Sequence, residues 1–172
     1  LEYNQPSAQI LMTKNTMVNN ANRKNAQNTF NELLSLGVIP IVNENDSVSY
    51  TEIESNDRLF GDNDMLSSVV AVLCRASKLV IFSDIDGFYN CDPRLHPDAK
   101  LIEEIDKIDD EVYKLAGGAG SRRGTGGMRT KLQAAALATS QGIDTIITNG
   151  KNPAALYDII EGVPVGTKFK AQ

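Results

Sequence analysis

The stretch KLVIFSDIDG, Lys78–Gly87, carries the organising pattern of the chain: an apolar run that stops at a serine, two aspartates and a glycine. Such a run, bounded by turn-forming residues, reads as a buried strand that delivers a polar loop at its carboxyl end. The pattern continues outward in both directions. Upstream, Met65, Leu66, Val69, Val70, Leu73 and Cys74 recur at helical spacing and predict an amphipathic helix. Further back, AQILMT (Ala8–Thr13) and VIPIV (Val38–Val42) predict strands, the second a buried run in which Pro40 implies an edge position or an irregularity. Between them, Ala26, Phe30, Leu33 and Leu34 mark a helix over Ala21–Leu36 that Gly37 stops. Downstream, NCDPRLHPDAKLIEEI predicts turns and a hairpin, and Asp109 or Asp110 is placed to cap a short helix through Leu115. Met128, Leu132, Ala135 and Ala136 form one face of a further helix, and DTIIT (Asp144–Thr148) is another strand. Asn152 before Pro153 predicts a cap and first-turn proline for a helix to Glu161, and VGTKF a last strand. Alternating strands and helices define the expected fold class: α/β, a mostly parallel sheet sandwiched by helices.

The 172 residues suit one domain with a sizeable core. Seventeen basic against 22 acidic residues give a formal charge of −5. This argues against a nucleic-acid binder, whose affinity rests on neutralising phosphates. No apolar run approaches the ~20 residues of a membrane span, and no secretory signal is expected. Cys74 and Cys91 lack the spacing of a zinc site or a disulfide framework; two reduced thiols fit a cytoplasmic protein. His96, the only histidine, sits in a turn-rich context and leaves a zinc site or a Ser-His-Asp triad little to build on.

In open α/β folds, ligands bind beyond the carboxyl ends of the strands. Three segments fall there or at a helix start: NEND (Asn43, Glu44, Asn45, Asp46), GDND (Gly61, Asp62, Asn63, Asp64) and the Ser83–Asp84 pair. Each has an ordinary alternative. Asp62 and Asp64 can simply cap a helix, NEND can be a solvated loop, and Ser83 with Asp84 can be turn chemistry. The sharpest signal is the glycine region, where six glycines lie between Gly117 and Gly127, just before the helix. Glycines allow close backbone approach, and amides at a helix start bind phosphate. The spacing puts Arg129 and Lys131 in the expected first turn, where cations oppose the helix dipole. Bound polyphosphate would reverse that balance, so the breach reads as functional. GTGGMRTK is neither a P-loop, since Thr130 rather than glycine precedes Lys131, nor a dinucleotide GxGxxG, since Arg129 stands at the third glycine.

Taken together, these segments resemble the amino acid kinase family. SDIDGFYNCDPR (Ser83–Arg94) looks like that family's adenine and ribose-side segment. The combination of PIVNEND (Pro40–Asp46), GDND and GTGGMRTK (Gly124–Lys131) is narrower. It resembles the members that phosphorylate the γ-carboxylate of L-glutamate with ATP and Mg²⁺, the first step of proline biosynthesis. The resemblance implies that Asp46 and Asn63 hold glutamate, with Asn43 and Asn45 beside them. It implies that Asp64 orients catalytic lysines with Asp62 in support, and that Ser83 and Asp84 contact the nucleotide. Thr125, Gly126, Gly127, Met128, Arg129, Thr130 and Lys131 would close over the phosphates, Lys131 stabilising the transferred group. Dimers or tetramers are the family's usual state. The chain, 1–172, is expected to be the later two-thirds of such a domain, without the family's opening strand, glycine-rich turn and second catalytic lysine, and to turn over poorly alone. Rival expectations are another acceptor (aspartate, UMP or acetylglutamate) and a non-catalytic nucleotide- or amino-acid-binding module.

Overall fold

A computed structural model describes residues 4–13, 16, 19–45, 63–116 and 125–172. Strand β1 (Ser7–Met12) leads to helix α1 (Asn20–Ser35) and strand β2 (Ile39–Glu44). The Asn19 side chain caps α1 by accepting from the backbone N–H of Ala21 and Asn22. Helix α2 (Asn63–Cys74) precedes β3 (Lys78–Ser83), the strand expected at Lys78–Phe82. A two-residue strand β4 (Glu104–Ile105) and helix α3 (Asp110–Ala116) follow. Asp109 makes the α3 cap, its Oδ1 accepting from the N–H of Glu111 (3.0 Å) and Val112 (3.1 Å). Helix α4 (Thr125–Thr139), β5 (Asp144–Asn149), α5 (Ala155–Glu161) and β6 (Thr167–Phe169) complete the described elements.

The strands form a pair, β1-β2, and a four-stranded sheet in the order β3-β5-β6-β4. β1/β2, β3/β5 and β4/β6 are parallel and β5/β6 is antiparallel, which bears out a mostly parallel sheet. The hairpin expected after Cys91 is an isolated antiparallel bridge between Tyr89 and Leu101. β5 is buried at Thr145, Ile146, Ile147 and Thr148 in succession, the mark of a strand covered on both faces. One core gathers Leu79 and Ile81 of β3, Ile147 of β5, Phe169 of β6 and Leu132 and Ala135 of α4. A second gathers Met12, Phe30, Leu66, Val69 and Leu73 between β1, α1 and α2.

Four expectations need correction. β2 is not a buried run: Ile39 and Ile41 are exposed, because its one partner among the described residues is β1. That edge position is where Pro40, which lacks an N–H, is tolerated. In α1, Leu34 lies outside the apolar stripe and is exposed. In α4 the fully buried face is Leu132, Ala134, Ala135 and Ala138 rather than one that includes Ala136; alanines there let α4 lie close against α2 and β5. Helix α5 starts at Ala155, after a turn in which the Asn152 side chain accepts from the N–H of Ala154 at 3.2 Å.

Candidate active site

The carboxyl end of β3 opens onto a cavity of about 250 Å³. Ser83, Asp84 and Ile85 form one wall; Gly127, Met128 and Lys131 of α4 form the other, and Arg94 joins them. Ser83 Oγ donates to Asp84 Oδ1 at 3.1 Å, and Arg94 Nη2 donates to Asp84 Oδ2 at 3.5 Å from an exposed position. Arg94 was not among the candidate residues. It reaches the cavity from a turn, held by its N–H donating to Asp92 Oδ1 at 2.9 Å, and no periodicity in the sequence announces it.

Lys131 is the best anchored of the cationic groups. Its Nζ donates to Asp64 Oδ2 at 2.8 Å, with the two side chains only 16% and 13% exposed. Thr130 Oγ1 lies 3.3 Å from the same carboxylate oxygen and 3.0 Å from the carbonyl of Gly127. The helix begins at Thr125, however, not near Met128. Arg129 and Lys131 therefore lie in its second turn, and the conflict with the helix dipole largely lapses, since that effect fades within the first turn. The ion pair with Asp64 accounts for the position of Lys131. Arg129 is exposed and does not line the cavity; it sits near Tyr113, whose hydroxyl pKa burial pushes up while the guanidinium pulls it down.

A second, more open cavity of about 630 Å³ lies between β1, β2 and α2. Asn43 and Asn63 supply its amides, beside Ser67, Gln9 and the apolar Ile41 and Leu66. Asn43 Oδ1 also accepts from the N–H of Glu44 at 2.9 Å. The backbone N–H of Asn45 is committed to the Met12 carbonyl at 2.8 Å, which fastens the end of β2 to β1. Asp46 and Asp62 lie outside the described residues. The start of α2 thus joins the two cavities: Asn63 lines the larger, and Asp64, next in the chain, holds the lysine that lines the smaller.

Among the described residues no three His, Cys, Asp or Glu side chains converge as a metal cage. Burial pushes the Cys74 thiol pKa up, which makes it a poor nucleophile at neutral pH.

A mostly parallel α/β fold thus carries two cavities, a polar one at the carboxyl end of β3 and a larger, more apolar one beside β2 with amides at its edge, and in folds of this class ligands bind in such crevices. The amino acid kinase family model matches residues 1–149, and the chain belongs to that family. Among curated relatives it is 52% identical to a glutamate 5-kinase of Clostridium perfringens over 99% of this chain and 63% of that protein. It is 49% identical to one from Clostridium tetani, covering 99% of this chain and 62% of that one. It is 47% identical to one from Listeria monocytogenes, again over 99% and 62%. The chain thus spans somewhat under two-thirds of the relatives it matches. Among solved structures it is similar in fold to UMP kinase from Ureaplasma parvum, with a TM-score of 0.62 at 16% identity over 98% of this chain and 62% of that one. The T. acidophilum isopentenyl phosphate kinase is similar too, with a TM-score of 0.60 at 18% identity over 98% and 62%. Among the described residues no helix is long and apolar enough to cross a membrane.

Proposed function

We propose that the chain is the greater part of a kinase domain that transfers the γ-phosphoryl group of ATP to the γ-carboxylate of L-glutamate. The products are ADP and γ-glutamyl phosphate. The observation that carries this reading is the Lys131–Asp64 pair, which sets an ammonium in the wall of the smaller cavity and anchors it on the residue next to Asn63 of the larger. The names of the relatives support the choice of acceptor.

In this reading the nucleotide takes the cavity of Ser83, Asp84, Gly127, Met128 and Lys131, and the first-turn amides of α4, from Thr125 to Met128, face its phosphates, with Thr130 a turn further on. Arg129, exposed on α4 outside the cavity wall, is assigned to the phosphates by the family resemblance alone. Glutamate takes the cavity of Asn43 and Asn63; the family resemblance adds Asn45 and Asp46, with Asp46 suited to the amino group. A carboxylate oxygen forms a bond to the γ-phosphorus as the bond to the β,γ-bridging oxygen breaks, and the electron pair leaves with ADP. Catalysis of this kind is positioning and charge neutralisation. Lys131 supplies a fixed positive charge to the equatorial oxygens, and Asp64 anchors and aims the ammonium; the family resemblance assigns Asp62 a supporting part. Mg²⁺ carried by the nucleotide would neutralise the β- and γ-phosphate oxygens. The same reading includes a homo-oligomeric, cytoplasmic enzyme of proline biosynthesis.

The test is coupled ADP release by the intact protein with L-glutamate, L-aspartate, UMP and N-acetylglutamate offered in turn. Release that depends on glutamate alone is expected. Release with another acceptor would reassign the substrate, and nucleotide binding without turnover would make this a binding module.

A further inference from the structure

Behind the wall of the smaller cavity lies a hydrogen-bond network that the proposed reaction does not use. Asp86 follows Ser83, Asp84 and Ile85 in the same loop but does not line the cavity. Its two carboxylate oxygens are both engaged: Oδ1 accepts from Asn149 Nδ2 at 2.8 Å, and Oδ2 accepts from the Tyr89 hydroxyl at 3.2 Å. Burial, with the Asp86 charge beside it, pushes the Tyr89 pKa up, so the phenol remains a donor. Asn149 is held in turn, its Oδ1 accepting from the N–H of Lys151 at 2.9 Å. One residue on, the N–H of Gly150 donates to the Ser83 carbonyl at 2.8 Å. The loop is clamped at its far end as well. A Cβ at Gly87 would come within 2.7 Å of Thr167 Oγ1, so the backbone there lies directly on β6.

These contacts divide the loop by face. Ser83, Asp84 and Ile85 present their groups to the cavity, and Asp86 ties the reverse side to the end of β5 and to the strand-like segment at Tyr89. An exposed aspartate ordinarily spends its carboxylate on water; one that accepts two directed bonds, from separate segments, fixes the shape of what it is attached to. We infer that Asp86 is a positioning residue for the nucleotide: through Asn149 and Tyr89 it sets the conformation of the Ser83–Ile85 wall, and so governs ATP affinity without touching ATP.

The inference rests on the proposed kinase reading, and its test separates the two. In the intact protein, Asp86→Ala is expected to raise KM for ATP about 10-fold. KM for glutamate and kcat should change less than twofold. Asn149→Ala and Tyr89→Phe, each of which removes one arm, should raise KM for ATP by smaller factors. Asp86→Asn, which keeps an oxygen acceptor for one arm, should recover part of the loss. Direct titration with a fluorescent ATP analogue should show the same order of affinities, and needs no acceptor. If wild-type protein turns over and Asp86→Ala leaves KM for ATP unchanged, the inference is wrong while the kinase reading stands. An equal loss in kcat and in both KM values would mark Asp86 as merely structural and overturn it as well. If wild-type protein shows no glutamate-dependent turnover, the kinase reading fails, and the nucleotide titration still decides the role of Asp86. Should Asp86→Ala not fold, Tyr89→Phe and Asn149→Ala carry the same comparison.

Discussion

Replacing one member of the Lys131–Asp64 pair should be costly, and the structure sets the scale. The groups meet at 2.8 Å with exposures of 16% and 13%, closer to a buried pair than to a surface one. Exposed pairs couple by about 0–1 kcal/mol, whereas removing one partner of a buried pair costs about 3–5 kcal/mol. For a site this enclosed but still open to a cavity, a coupling of about 2 kcal/mol lies between those limits. Asp64→Asn, Lys131→Met and the double variant form the cycle. In urea, with a slope of about 2 kcal/mol/M, each single variant should lower the midpoint by roughly 1 M, and the double should fall well short of the sum. In the intact protein Lys131→Met should also lower kcat by about 10²–10³-fold, the loss typical of a group that stabilises transition-state charge. A coupling below about 0.5 kcal/mol would refute the claim that the pair is a shielded unit. An unchanged kcat would remove Lys131 from the chemistry.

Other consequences can be checked on stability alone. Thr167 is fully buried; its Oγ1 accepts from the N–H of Phe88 at 2.7 Å and donates to the Ile102 carbonyl at 2.6 Å. Thr167→Val strands both backbone groups and should cost about 2–4 kcal/mol in denaturant titration, while Thr167→Ser should retain most of the stability. Gly166 has φ +68°, and a Cβ there would collide with the Ile147 carbonyl oxygen, so Gly166→Ala should lower Tm by several degrees. Asp144 has its pKa lowered: burial acts to raise it, but the Ala171 N–H and the Lys168 ammonium outweigh that. A carboxyl whose folded pKa is depressed contributes stability above its unfolded value near 3.8 and loses it as pH falls through the folded value. Asp144→Asn should therefore destabilise at pH 7 and close on wild type as the pH falls below 3.8 and through the folded value; a constant gap across that range would contradict the assignment.

Elements with a strong local period were legible from the residues. The stripe from Met65 to Cys74 and the apolar run at Lys78 each carry their own signal and stand where expected, and of the two cap candidates, Asp109 and Asp110, the first makes the cap. The start of α4 did not, because Gly126 and Gly127 are weak helix formers whose place in the helix is settled by tertiary packing of the face that follows. β4 is two residues long and exists only through its pairing with β6, a contact about sixty positions away in sequence. The same holds in the site. Lys131 and Asp64 could be chosen from their motifs, but their contact joins segments 67 residues apart. Asp86 and Arg94 lie within the SDIDGFYNCDPR stretch, but the motif gave no sign of which partners they meet, and Asn149 had no motif at all; those contacts are made by the fold.

The junction at the start of α2 bears on wasteful turnover. Asn63 and Asp64 are consecutive, so any tilt of that first turn on acceptor binding moves the lysine's anchor as well. A ligand seated against Asn63 is one peptide unit from the carboxylate that holds the ammonium. Under the proposed reading, this short lever ties occupancy of the acceptor cavity to the anchor of the charge that serves ATP, a route by which the amino acid favours transfer to itself over transfer to water.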